Sequence, residues 1–252
     1  MAHHPKHHNH HHADHHHDDM FFETQSEVMH EHHTVREELI HHIPYAIFSV
    51  AFCLVILSFV AFSTIGTDNP KLIKTGSNIL FHSFHFMHIV FAATGTLITF
   101  LRFSKNWIKA LIVGVGSPLI FCTLSDCILP YLGGTLLGVK MHFHLCFLSE
   151  LPNIIPFLLV GMLNGFILSR HNSSRQAFYS VWSHFIHIFI SALASSFYLV
   201  SHGFTTWYQQ IGMVFLFLIV AVVIPCTLSD VVVPMGFARM GAQNERHKDR
   251  KS

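Results

Sequence analysis

Six separate stretches of roughly twenty mostly apolar residues run along the chain, and each is long enough to be a membrane span. They lie at 43–63, 79–101, 107–131, 151–169, 178–200 and 208–235. An α-helix rises about 1.5 Å per residue, so about 20 residues cross the hydrocarbon core of a bilayer. A helix in a soluble core keeps a polar face, and most of these stretches have none. Charge is correspondingly scarce, at 12% of residues, where soluble domains carry about 25%. The chain therefore reads as an all-α polytopic membrane protein with six transmembrane helices, embedded in lipid and with no basis for nucleic-acid binding.

Residues 1–36 are polar and lack the apolar stretch and cleavage site of a secretory signal. The first span is expected to act as an uncleaved insertion signal. Basic residues set the orientation. One side holds Lys6, Arg36, Arg102, Lys105, Lys109, Arg170, Arg175, Arg239, Arg246, Lys248, Arg250 and Lys251; the other holds only Lys71, Lys74 and Lys140. Both termini are expected in the cytoplasm, in a plasma or bacterial inner membrane.

Comparing the chain with itself reveals a duplication. Cys-Thr-Leu-Ser-Asp occurs at 122–126 and 226–230, and a proline follows each Asp four residues later, Pro130 and Pro234. His-Phe-Met-His-Ile at 85–89 matches His-Phe-Ile-His-Ile at 184–188. Glu38, six residues before Pro44, matches Glu150, six before Pro156. The matches are collinear and relate spans 1, 2 and 3 to spans 4, 5 and 6. An odd number of spans per half makes this a 3+3 inverted-topology repeat, an architecture of many transporters. The expected layout is a His-rich, largely disordered cytoplasmic tail at 1–36, repeats at 37–141 and 142–240, and a basic tail at 241–252.

Ionisable groups inside a bilayer cost a few kcal/mol each and mark function by default. Span 2 carries His82, His85 and His88, and span 5 carries His184 and His187. A spacing of three puts side chains on one helix face, where two imidazoles suit a transition metal. A single membrane histidine is more often an interhelical hydrogen-bonding residue; the repetition in both halves shifts the weight to ligands. Asp126 and Asp230 end the repeated motif, and Cys122 and Cys226 share their helix faces. The following proline should free the carbonyl of the Asp itself; the bland reading is a kink satisfied by Ser125 and Asp126. Glu38 and Glu150 open their spans, a place the helix dipole alone favours for acids. His41 and His42 follow Glu38, with no histidine in the matching places after Glu150.

The topology groups these residues into an outer set, His85, His88, Asp126 and Glu150, and an inner set, His184, His187, Asp230 and Glu38. His88 and His187 lie close enough to mid-span for the two sets to join into one polar path. The histidines of the N-terminal tail, a tract interrupted by Asn9 and Ala13-Asp14, add a loose metal-binding segment. Gly161 and Gly165 suit close helix packing, Gly114, Gly116 and Pro118 should loosen span 3, and Trp107, Trp182 and Trp207 suit interfacial anchors.

The function this points to is a transporter or channel for a divalent transition-metal cation (Zn, Ni, Co, Fe or Mn), coupled to protons, and not an enzyme. His with carboxylate fits such ions better than the all-oxygen shells of Mg²⁺ or Ca²⁺. Two alternatives stay open: b-type haem held by intramembrane histidines, and a thiol relay through Cys122 and Cys226, for which Pro225 stands beside Cys226 but Phe121 at the matching place. Ion identity, direction and assembly as a homo-oligomer are open.

Overall fold

A computed structural model describes residues 35–64, 70–170 and 175–240. The His-rich stretch before residue 35 and the basic tail lie outside them, as do the side chains of Glu38, His41 and 175–183, including Trp182. The fold is all-helical. Six helices are long and apolar enough to span a membrane: His42–Ser63, Lys71–Phe103, Trp107–Leu136, Leu151–Arg170, His184–Ser201 and Trp207–Met240.

Helix α1 covers Val35–Thr64 and α2 Pro70–Phe103. Pro70 opens α2, where a missing N–H is harmless. The second span starts earlier than hydropathy alone suggested, because its first turns carry the exposed Lys71 and Lys74. Helix α3, Trp107–Thr123, is capped by the Asn106 side chain, which accepts from Lys109 N at 3.2 Å. It runs unbroken through Pro118, so the expected loosening near Gly114 and Gly116 is absent there. A π-helical turn at Leu124–Ile128 then leads into α4, Leu129–Leu136, completing the third span. A short α5, Cys146–Ser149, precedes α6, Leu151–Arg170, and α7 covers Arg175–Ser201. Helix α8, Ile211–Thr227, ends in a second π-helical turn, Leu228–Val232, and the chain stays helical to residue 240.

Polarity is distributed inside out. Phe48, Phe52, Phe59 and Phe62 of α1 are 58–72% exposed, whereas His85, His88, Asp126, His187 and Asp230 are at most 2% exposed. In water that surface would aggregate; in lipid it is the required exterior. Trp107 is exposed near the guanidinium of Arg170, as an interfacial anchor should be. Trp207 differs from the expectation: it starts a 3₁₀ turn and is buried in the core.

Helices α2 and α7 pack against each other at the centre. Helix α1 lies along α7 through Tyr45 on Phe185 and Phe52 on Phe189. Helix α6 lies along α2 through its two glycines. A Cβ on Gly161 would meet Val90 O at 2.6 Å, and one on Gly165 would meet Thr94 O at 2.9 Å. Thr94 Oγ1 spans this contact, donating to Gly161 O at 2.9 Å. We expect Gly161→Ala to destabilise the protein by about 1–3 kcal/mol through overpacking. Gly116→Ala, with nothing within 4 Å, should be neutral. Unfolding in mixed micelles measures both; equal effects would refute the close-packing account.

Candidate functional site

Each copy of Cys-Thr-Leu-Ser-Asp forms the same irregular turn. Leu129 N–H bonds Leu124 O, and Val233 N–H bonds Leu228 O, one residue further back than α-helical pairing. In this register Pro130 and Pro234 stand opposite the carbonyls of Ser125 and Ser229. The open carbonyl thus falls one residue before the Asp, not on it as the proline spacing alone suggested. Neighbouring hydroxyls fill both: Ser195 Oγ donates to Ser125 O at 3.0 Å, and Thr96 Oγ1 donates to Ser229 O at 3.0 Å. Single π turns of this kind are frequent at functional sites. Each turn carries its Asp into the contact between α2 and α7.

There the two carboxylates and three imidazoles form one chain. His85 Nδ1–H and His88 Nδ1–H donate to Asp126 Oδ2, at 2.9 and 2.7 Å. His187 Nδ1–H donates to Asp230 Oδ2 at 2.5 Å. The far nitrogens of His88 and His187 then meet, Nε2 to Nε2 at 2.6 Å. Cys226 Sγ lies 3.7 Å from His88 Nε2, and Cys122 is buried close by. His88, His187 and Cys226 bring their ligand atoms within 4.8 Å of one another. His88 and His187 thereby link the Asp126 group to the Asp230 group.

This pairing assigns the protons. A carboxylate accepts, so each Nδ1 carries hydrogen and a neutral ring presents a bare lone pair at Nε2. Two lone pairs at 2.6 Å repel unless a cation lies between them. A carboxylate behind an imidazole whose other nitrogen faces a binding point is also the usual way metal-ligating histidines are oriented.

The two motif copies share the same turn, and the surroundings of their acids differ. Asp126 Oδ1 accepts from Ser125 Oγ at 2.6 Å and Ser191 Oγ at 3.0 Å. The place matching Ser191 in the first half is Ala92, and Asp230 Oδ1 is buried with no hydrogen bond. His184 lies beside Asp230 and packs on His42, ring centroids 4.5 Å apart. His82 donates Nδ1–H to Asn78 O at 2.8 Å. Glu150 does not join Asp126. It is half-buried near the surface loop, accepts from Asn153 Nδ2 at 2.6 Å and faces His144. The backbone of Glu38 lies in α1, and its side chain is outside the described residues.

Sequence reading passed over four residues that the fold places near this chain: Cys127, Cys146, His144 and His202. His144 sits in the loop over the end of α7, where its N–H donates to Tyr198 OH and its carbonyl accepts from that hydroxyl, both at 3.1 Å. Burial holds His202 down to about 4 and lowers His144 as well. Only the run of His and Cys from 142 to 146 hinted at this end.

No protein-family model, curated protein or solved structure matches the chain.

We expect Asp126→Ala, which strands two buried imidazole N–H groups, to cost about 3–5 kcal/mol, and Ser191→Ala only about 1 kcal/mol. Similar unfolding midpoints for the two variants would contradict the hydrogen-bond chain. His202 supplies a pH test. Its folded pKa lies below the unfolded value, so the unfolded state binds more protons and stability falls as pH drops from about 6.5 toward 4. His202→Gln should flatten thermal unfolding between pH 7 and 5; an unchanged slope would show that His202 is not the group responsible.

Proposed function

We propose that the chain carries a divalent transition-metal cation, of the Zn, Ni, Co, Fe or Mn class, across a membrane in exchange for protons. One observation carries the reading: the facing Nε2 atoms of His88 and His187, backed by Asp126 and Asp230 and flanked by Cys226. At 2.6 Å the pair is fitted to a shared proton. Zinc bound at about 2.0–2.1 Å in tetrahedral geometry separates two nitrogens by roughly 3.3 Å. The rings must part by roughly 0.7 Å to admit it. Metal and proton then compete for one place, and arrival of one expels the other.

The pathway we propose runs from His144 and His82 at the outer loop through His85 and Asp126 to the central pair, then past Asp230 to His184 and His42. The repeated motifs, each with its π turn, support an inverted repeat whose halves meet at this pair. The bias of basic residues supports cytoplasmic termini. The haem alternative gains less support, because His88 and His187 touch directly and no porphyrin fits between them in this arrangement. A thiol relay explains Cys122 and Cys226 but leaves the two carboxylate–imidazole pairs without a task.

Full-length protein in liposomes loaded with metal-sensitive and pH-sensitive dyes tests the proposal. Metal flux with opposing proton flux is expected, falling at least about tenfold in His88→Ala and His187→Ala. Flux equal to empty liposomes for all five metals, or a Soret band in the purified protein, would sink it.

A further inference from the structure

The outer end of the chain of histidines holds a second constellation. His85, Cys127 and Cys146 are each fully buried, with ligand atoms within 4.8 Å of one another. The Cys127 and Cys146 sulfurs are among those atoms, so the two thiols lie within 4.8 Å of each other. Asp126 takes the Nδ1–H of His85, which leaves Nε2 as the ring's free lone pair, and that nitrogen is buried without a hydrogen bond. A buried acceptor left this way costs about 1–3 kcal/mol. His82 repeats the pattern: Asn78 O takes its Nδ1–H, and its buried Nε2 has no partner. His82 and His144 share Cys146 in a second group of the same dimensions, and His144 is only half-buried.

We infer that His85, Cys127 and Cys146 form a thiolate metal site for a zinc-class ion, loaded from the loop through His82 and His144. The donor set selects the ion. Two sulfurs and an imidazole suit Zn²⁺, and neither group includes a carboxylate that Mg²⁺, Ca²⁺ or Mn²⁺ would require. Three protein ligands leave the fourth tetrahedral position open, as a site that passes its ion onward needs. Binding replaces the two thiol protons, which leave to solvent. Cys146 belongs to both groups, so an ion moves inward by exchanging His82 and His144 for His85 and Cys127 while keeping one sulfur. The inference extends the metal reading of the pathway but rests on different atoms from the central pair.

Cobalt is a usable probe because sulfur bound to Co²⁺ gives a near-ultraviolet charge-transfer band that nitrogen and oxygen ligands do not. The first cysteine of the chain is Cys53, so the N-terminal histidines cannot produce it. Full-length protein carrying Cys122→Ser and Cys226→Ser, kept reduced, is titrated with Co²⁺. The band is expected to persist, to fall by about half when Cys127→Ser or Cys146→Ser is added, and to vanish when Zn²⁺ displaces cobalt. Absence of the band, or indifference to both added substitutions, would overturn the site. Should the added variants misfold, the unsubstituted chain decides: Zn²⁺ should slow alkylation of Cys127 and Cys146 about tenfold and leave Cys53 unaffected. No protection, or a Cys127–Cys146 disulfide in the isolated protein, would equally overturn it. A surviving band with no liposome flux would keep this site and remove the transport proposal; flux without the band would do the reverse.

Discussion

Two carboxylates buried among lipid-facing helices govern the rest of the structure. A charge in this setting costs several kcal/mol unless it is paired. Among the described residues, the hydrogen-bond partners of Asp126 and Asp230 are imidazoles and hydroxyls alone. That choice has consequences in sequence. It requires histidines on the two central helices, at a spacing that lets His85 and His88 share one oxygen. It requires serines and threonine where α2 and α7 pass the motif. It also requires the motif helices to turn their acids inward, which the π turns before Pro130 and Pro234 do. Because imidazole is amphoteric, the same pairing that stabilises each carboxylate leaves a reactive nitrogen on the far side of the ring.

The spans were legible because the bilayer imposes a length, and hydropathy reads length directly. The matched Asp, Cys and His residues were legible because the chain states them twice. Other features depend on how helices settle against one another. The π register moves the open carbonyl from Asp126 to Ser125, a shift of one residue that proline spacing cannot reveal. Trp207 falls at a span end, where an anchor is expected, yet the 3₁₀ turn folds it inward. Glu150 begins its helix as expected but is drawn to Asn153 and the loop. Cys127 and Cys146, 19 positions apart on opposite sides of a glycine-rich connection, follow no ligand spacing. Only the return of the loop onto α7 makes them neighbours.

The inequality between the two acids is as informative as the likeness of their motifs. Asp126 has both oxygens occupied, by two imidazoles and two hydroxyls. Asp230 has one oxygen held by His187 and the other bare. Replacing the serine with Ala92 in the matching place removes a donor without changing the backbone. The two acids are therefore not electrostatically equivalent, because an oxygen already saturated with donors is a poorer electrostatic partner than one with a free lone pair.

The hydroxyl of Tyr198 both gives a hydrogen bond to the His144 carbonyl and receives one from its amide. His142 N–H adds a third tie, to His202 O at 2.9 Å. The loop is thereby fastened to the end of α7 like a crosshead to a connecting rod. Helix α7 is continuous from Tyr198 back to His187, about 16 Å along its axis. One unbroken helix thus joins the loop's anchor point to the ring that faces His88.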